Sequence, residues 1–222
     1  MRLKRKTPTS AVCGLVCASF LAAIASHGAV LIGNYPAADD LSGVLVTEAV
    51  GIAGGFTVGA TPQTVTSVTL RLQNFSTTDG GANPQLGFYA DNAGQPGTQL
   101  GNFLQDPSSS SREVGDFTFT SDGSVTLAAN TLYWFQLDAT DGGFNWNASS
   151  TGSLPSSPGG DATWQGYKFD LGTYFNTGTR FTFEVNATSV PEPTHIAFAC
   201  GGALLAFAAV RRRCLDTQQR TA

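Results

Sequence analysis

Between residue 30 and about residue 188 the chain alternates apolar and polar side chains in short runs, and that period of two predicts strands with one dry face. In Thr66 to Asn74 the apolar set is Val68, Leu70 and Leu72, with Thr69, Arg71 and Gln73 opposite. Phe117 and Phe119 follow the same rule, as do Tyr167, Phe169 and Leu171, then Phe181, Phe183 and Val185. Leu86, Phe88 and Ala90 mark another short strand, and Leu132 to Leu137 is apolar nearly throughout, as a central strand packed on both sides would be. Turn signals separate the runs: Asp79-Gly80-Gly81, Asn92 to Gly97, Pro107 to Ser111, Asp122-Gly123, Asp141-Gly142-Gly143 and Pro155 to Gly160. No helical period longer than about two turns interrupts them. The prediction is an all-β fold, an antiparallel two-sheet β-sandwich with a jelly roll as one form of it.

The two ends have a different pattern. Arg2, Lys4, Arg5 and Lys6 precede an apolar stretch from Ala11 to Ala25, and Ala23-Ile24-Ala25 offers a small-residue cleavage site. That order predicts an export signal over residues 1–29, cut after Ala25 or after Ala29; an uncleaved anchor helix is the competing reading. Cys13 and Cys17 lie inside the apolar run without a small residue before them, which argues against lipid attachment. At the other end, Val190-Pro191-Glu192-Pro193 leads to an apolar run from Ile196 to Val210 and then Arg211-Arg212-Arg213. Fifteen helical residues span about 22 Å, less than the roughly 30 Å of a hydrocarbon core, so hydropathy alone is ambiguous. The arginines resist translocation and put the preceding domain outside the cytoplasm. The chain thus divides into a signal, a domain over residues 30–188 and a C-terminal segment over residues 189–222 with a transmembrane helix.

Pro191-Glu192-Pro193, an apolar span and an arginine cluster at the chain end resemble the PEP-CTERM sorting signal of exported bacterial proteins. The resemblance implies recognition by an exosortase, a membrane protease that cuts near the box and passes the protein to the cell surface or extracellular matrix. By position Pro191, Glu192 and Pro193 would be the sorting box, and Arg211, Arg212 and Arg213 the retention cluster. The tail from Cys214 to Ala222 is longer than usual for that pattern; a plain C-terminal anchor is the competing reading. The central region is similar to the choice-of-anchor domains, type R, over residues 44–187. The likeness rests on Val65 to Leu72, Leu86 to Asn92 leading to Pro96-Gly97, Phe117 to Phe119, and Val125 to Trp134. It implies a fold and a location, not an activity.

Charge and rare residues narrow the chemistry. Residues 30 to 190 hold 14 acids against 4 bases, a net of −10 that the whole-chain value of −4 conceals. Such a domain repels phosphate backbones, which argues against nucleic acid as a partner. The cysteines are Cys13, Cys17, Cys200 and Cys214 and the histidines His27 and His195, so the interior has neither residue. Imidazole-based triads, thiol nucleophiles, disulfides and zinc sites are thereby removed from the domain, and no cofactor is implied.

What remains are rings and carboxylates. Trp146 and Trp164 flank the Ser/Gly/Pro-rich loop from Asn147 to Asp161 and are the candidates for stacking on sugar, while Trp134 in the most apolar strand reads as core. Asp91, Asn92, Asp138, Asp141 and Asp161 offer oxygens near turns, yet no Ca²⁺ loop motif orders them and turn formation accounts for them better. A glycoside hydrolase needs two acids at a set separation, and no local motif singles out a pair among 14. The expectation is a non-enzymatic structural or interaction protein of the surface or matrix. Its processing partners would be signal peptidase and an exosortase. Carbohydrate binding, with exopolysaccharide as the ligand, is the alternative, and hydrolysis comes third.

Overall fold

The computed structural model describes residues 28–35, 42–73, 84–103, 113–140, 142–149 and 153–190, which form fourteen strands and no helix. In chain order these are β1 (Ala29–Gly33), β2 (Ser42–Thr47), β3 (Gly51–Val58), β4 (Gln63–Gln73), β5 (Pro84–Asp91), β6 (Pro96–Phe103) and β7 (Gly115–Thr120). They continue as β8 (Thr126–Leu127), β9 (Leu132–Ala139), β10 (Gly143–Ser149), β11 (Ala162–Asp170), β12 (Tyr174–Thr177), β13 (Arg180–Phe181) and β14 (Phe183–Ser189). All pairings are antiparallel. Eight strands make one sheet, with the path β1-β14-β4-β10-β13 and β2, β7 and β8 attached to it; the other six run β12-β11-β3-β9-β5-β6.

The predicted alternation sets the inner faces. Val68, Leu70 and Leu72 of β4 are buried, as are Phe181, Phe183 and Val185 on β13 and β14. Leu86 and Phe88 of β5 and Phe119 of β7 join them in one apolar cluster fed by both sheets. Phe135 of β9 meets Phe183 of β14 at 4.8 Å between ring centroids, and Trp146 of β10 meets Phe181 at 4.8 Å. These rings, with no cystine beneath them, hold the sheets together: burying each aromatic is worth several times what a surface contact is.

Leu171 departs from the expected pattern. The alternation makes it an inward residue of the Tyr167 strand, but β11 ends at Asp170 and Leu171 stands 54% exposed in the turn to β12. Asp170 ends the strand by accepting the Gly172 N–H at 2.9 Å. The strands reach slightly beyond the expected domain limits, since β1 begins at Ala29 and β14 ends at Ser189; residues 26–190 form one compact unit.

Candidate functional site

The two tryptophans expected to stack on sugar both turn inward. Trp146 is on β10, 0% exposed, and donates its Nε1–H to the Thr182 carbonyl at 3.0 Å. This corrects its assignment as a ligand-stacking residue: the strand continues past it, so the ring lies between the sheets and has no free face. Trp164 of β11 is partly buried, with its ring 4.5 Å from Tyr167 and 5.3 Å from Phe183. The two rings are near common neighbours in the core and do not form a surface platform. Pro191, Glu192 and Pro193, expected as a sorting box, the expected span, Arg211, Arg212 and Arg213, expected as a retention cluster, and Asp141 lie outside the described residues, as do residues 1–27 of the expected export signal.

A different group assembles on the outer face of the six-stranded sheet. On β9 Tyr133, Phe135 and Leu137 take the core side, so Trp134, Gln136 and Asp138 project outward. Opposite Trp134, Gln136 and Asp138 the neighbouring central strand β3 presents Gly51, Ala53 and Gly55 on that face, with Thr57 beyond them. This leaves a shallow trough into which the larger side chains of β9 lean. A Cβ on Gly55 would stand 2.7 Å from the Trp134 ring, and one on Gly51 would overlap the Asp138 carboxylate. Trp134 therefore lies against the sheet and is only 2% exposed although it faces outward. Its Nε1–H donates to Asp91 Oδ1 at 2.8 Å, and the Lys168 ammonium lies 5.6 Å from the ring centroid.

Gln136 organises the other half. Its Nε2 donates to Asp138 Oδ1 at 3.0 Å and to Asp170 Oδ2 at 3.3 Å, while its Oε1 accepts from the Tyr174 hydroxyl at 2.7 Å. One amide, 5% exposed, thus ties together β9, β11 and β12 and brings two carboxylates from strands on either side of β3 to a single nitrogen. Burial pushes the Asp138 carboxyl up and the charge of Asp170 adds to this, against the lowering effect of the Gln136 hydrogen bond. Burial raises the phenol of Tyr174, and Asp170 and Asp138 raise it further; Tyr89 is raised by burial and by the same two charges. The half-buried cluster therefore offers carboxylate acceptors beside phenol groups that stay protonated.

The other acids singled out in the sequence have local duties. Asp91 also accepts the Gly94 N–H at 3.0 Å, closing the turn before β6, and the Asn92 N–H donates to Gln95 O at 2.8 Å. The Asp161 carbonyl accepts from Gly59 N at 2.7 Å. Among the described residues no three His, Cys, Asp or Glu side chains are grouped to hold a metal ion, and no helix is long and apolar enough to cross a membrane. No protein-family model matches the chain, and no curated protein matches it.

Neither Gln136 nor the partnership of Asp138 with Asp170 was singled out from sequence. The two acids are 32 positions apart and meet only because β3 comes between their strands. The available signal was polar residues at alternate positions inside the apolar run of β9, which a strand buried on both sides by apolar layers would not carry.

Proposed function

We propose that the chain is an exported bacterial protein of structural or interaction type, displayed on the cell surface or in its matrix and sorted there by an exosortase acting on the C-terminal signal. The observation that carries this reading is the order of segments. A compact β unit of residues 26–190 is bracketed by a basic-apolar leader and by a Pro-Glu-Pro box, an apolar span and an arginine cluster. Signal peptidase removes the leader, a helix over Ile196 to Val210 holds the precursor in the inner membrane, and the domain stands outside the cytoplasm. The acidic, cystine-free sandwich is then the cargo, of the choice-of-anchor type, and no enzymatic role is assigned to it.

The reading is tested by replacing Pro191, Glu192 and Pro193 together with alanine in the producing cell. The expected result is a precursor that stays unprocessed in the inner membrane while the parent chain reaches the surface; equal surface delivery of both overturns the assignment of the box.

Exopolysaccharide binding is the second reading, and the cluster around Gln136 supports it better than the tryptophans first considered. Carboxylates and phenols on one sheet face match the donors and acceptors of sugar hydroxyls, with Tyr89 and Tyr174 as the partly exposed rings. Retention of the domain on immobilised host polysaccharide, lost in the Tyr89→Ala and Tyr174→Ala double variant, is the result this reading expects. Release of reducing ends, lost in Asp138→Asn, would instead make it a hydrolase.

A further inference from the structure

The outer face of the six-stranded sheet is paved by side chains laid over glycine and alanine. β12 and β9 are separated by β11 and β3, yet the Tyr174 hydroxyl reaches Gln136 Oε1 at 2.7 Å, so this tyrosine lies along the sheet across both intervening strands. The central strand offers Gly51 and Ala53 there, and Ala53 is 0% exposed although it is on the outward face. Tyr89 approaches from the other side. Its ring edge and hydroxyl lie 2.9 Å from where a Cβ on Gly87 would stand, and Gly87 is the β5 residue opposite Gln136. Two tyrosines whose strands are four spacings apart, about 19 Å, thus bend toward one amide over small residues.

The charge on this face is one-sided. Asp138 and Asp170 meet at Gln136 Nε2, and among the described residues neither carboxylate is paired with a base. Lys168, on the same face, has its ammonium at the Trp134 ring instead.

Resting on the carbohydrate reading of this face, we propose that its ligand is an extended, uncharged polysaccharide laid across the strands over Tyr89 and Tyr174, and that polyuronates and other acidic chains are excluded. The two rings cover the C–H faces of sugars, and the carboxylates accept from sugar hydroxyls. The Tyr89 phenol, kept protonated by burial and by the charges of both acids, is a donor. A hydroxyl suits both kinds of partner. A uronate or sulfate would bring a further negative charge to a place where two already share one amide, in a domain of 14 acids and 4 bases. The strip between the tyrosine strands is longer than a single sugar ring, so the ligand is a polymer.

The test is native affinity electrophoresis of the full chain, in a detergent with no sugar headgroup, through gels cast with dextran, mannan, hydroxyethyl cellulose or alginate. At least one of the three neutral polymers is expected to retard the chain several-fold more than the polyuronate alginate does. Asp138→Asn with Asp170→Asn should narrow that preference, while Asp122→Asn with Glu184→Gln, which removes two charges from outside this face, should leave it unchanged. Retardation by alginate equal to or above that by every neutral polymer overturns the proposal. So does a preference that the first pair of substitutions leaves intact, or that both pairs change equally. Retardation by none of the four overturns the carbohydrate reading beneath it.

Discussion

At Asp138 burial and the neighbouring charge of Asp170 act in the same direction, and only the Gln136 amide opposes them. The carboxyl holds its proton more tightly in the folded chain than in the unfolded one. Its stabilising contribution is therefore complete below the ordinary value of 3.8 and is lost as the pH rises through the raised folded value. Asparagine keeps an acceptor for Gln136 and removes the buried charge. Asp138→Asn is expected to melt at or above the parent temperature at pH 7, with the gap shrinking or reversing at pH 4; a gap independent of pH would show that charge burial is not the cause. Gly55 offers a second single-residue test. A methyl group there meets the Trp134 ring at 2.7 Å, and overpacking of this kind costs about 1–3 kcal/mol. Gly55→Ala should lower the melting temperature, and combining it with Trp134→Leu should cost less than the two changes added together.

Individual elements differed in how well sequence announced them, for reasons that can be named. β4 and β14 are long enough, and bury branched or aromatic residues regularly enough, for period-two alternation to reveal them, whereas β9 was legible as a nearly continuous apolar run. β3 has the sequence Gly-Ile-Ala-Gly-Gly-Phe-Thr-Val, with glycine on both faces, so alternation is blank in a strand that lies at the centre of its sheet. Its glycines make sense only beside the Trp134, Phe135 and Trp164 rings that occupy their space, and a linear reading does not show those neighbours. Trp146 was misread for a related reason: the Ser-rich stretch after it suggested a loop, whereas β10 runs on to Ser149, paired with β2 as far as Ala148 and with β13 at Ala148 and Ser149. The outer-face cluster depends on the same sheet order, which no local signal contains. β14 also carries a prediction. It is hydrogen-bonded to β1 on one side and β4 on the other, so its loss would expose both. A chain ending at Arg180 should show no cooperative melting, whereas one ending at Val190 should melt as the parent domain does, checked by circular dichroism and limited proteolysis.

Across the whole molecule, pairing of the first strand with the last means that the eight-stranded sheet cannot close until nearly all of the domain is present. Long-range pairing of this kind folds slowly compared with local contacts, which would suit the export proposed for the chain. The aromatic core supplies the cross-linking that a cystine would otherwise give, since the domain holds no cysteine. The central claim, that both flanking segments are addresses on an exported domain, is tested most directly by the intact mass of the native protein recovered from the cell surface. The account predicts a chain that begins at Ser26 or Val30 and has lost the residues from Ile196 onward. A full-length chain from Met1 to Ala222, recovered from the cytosol, would contradict it.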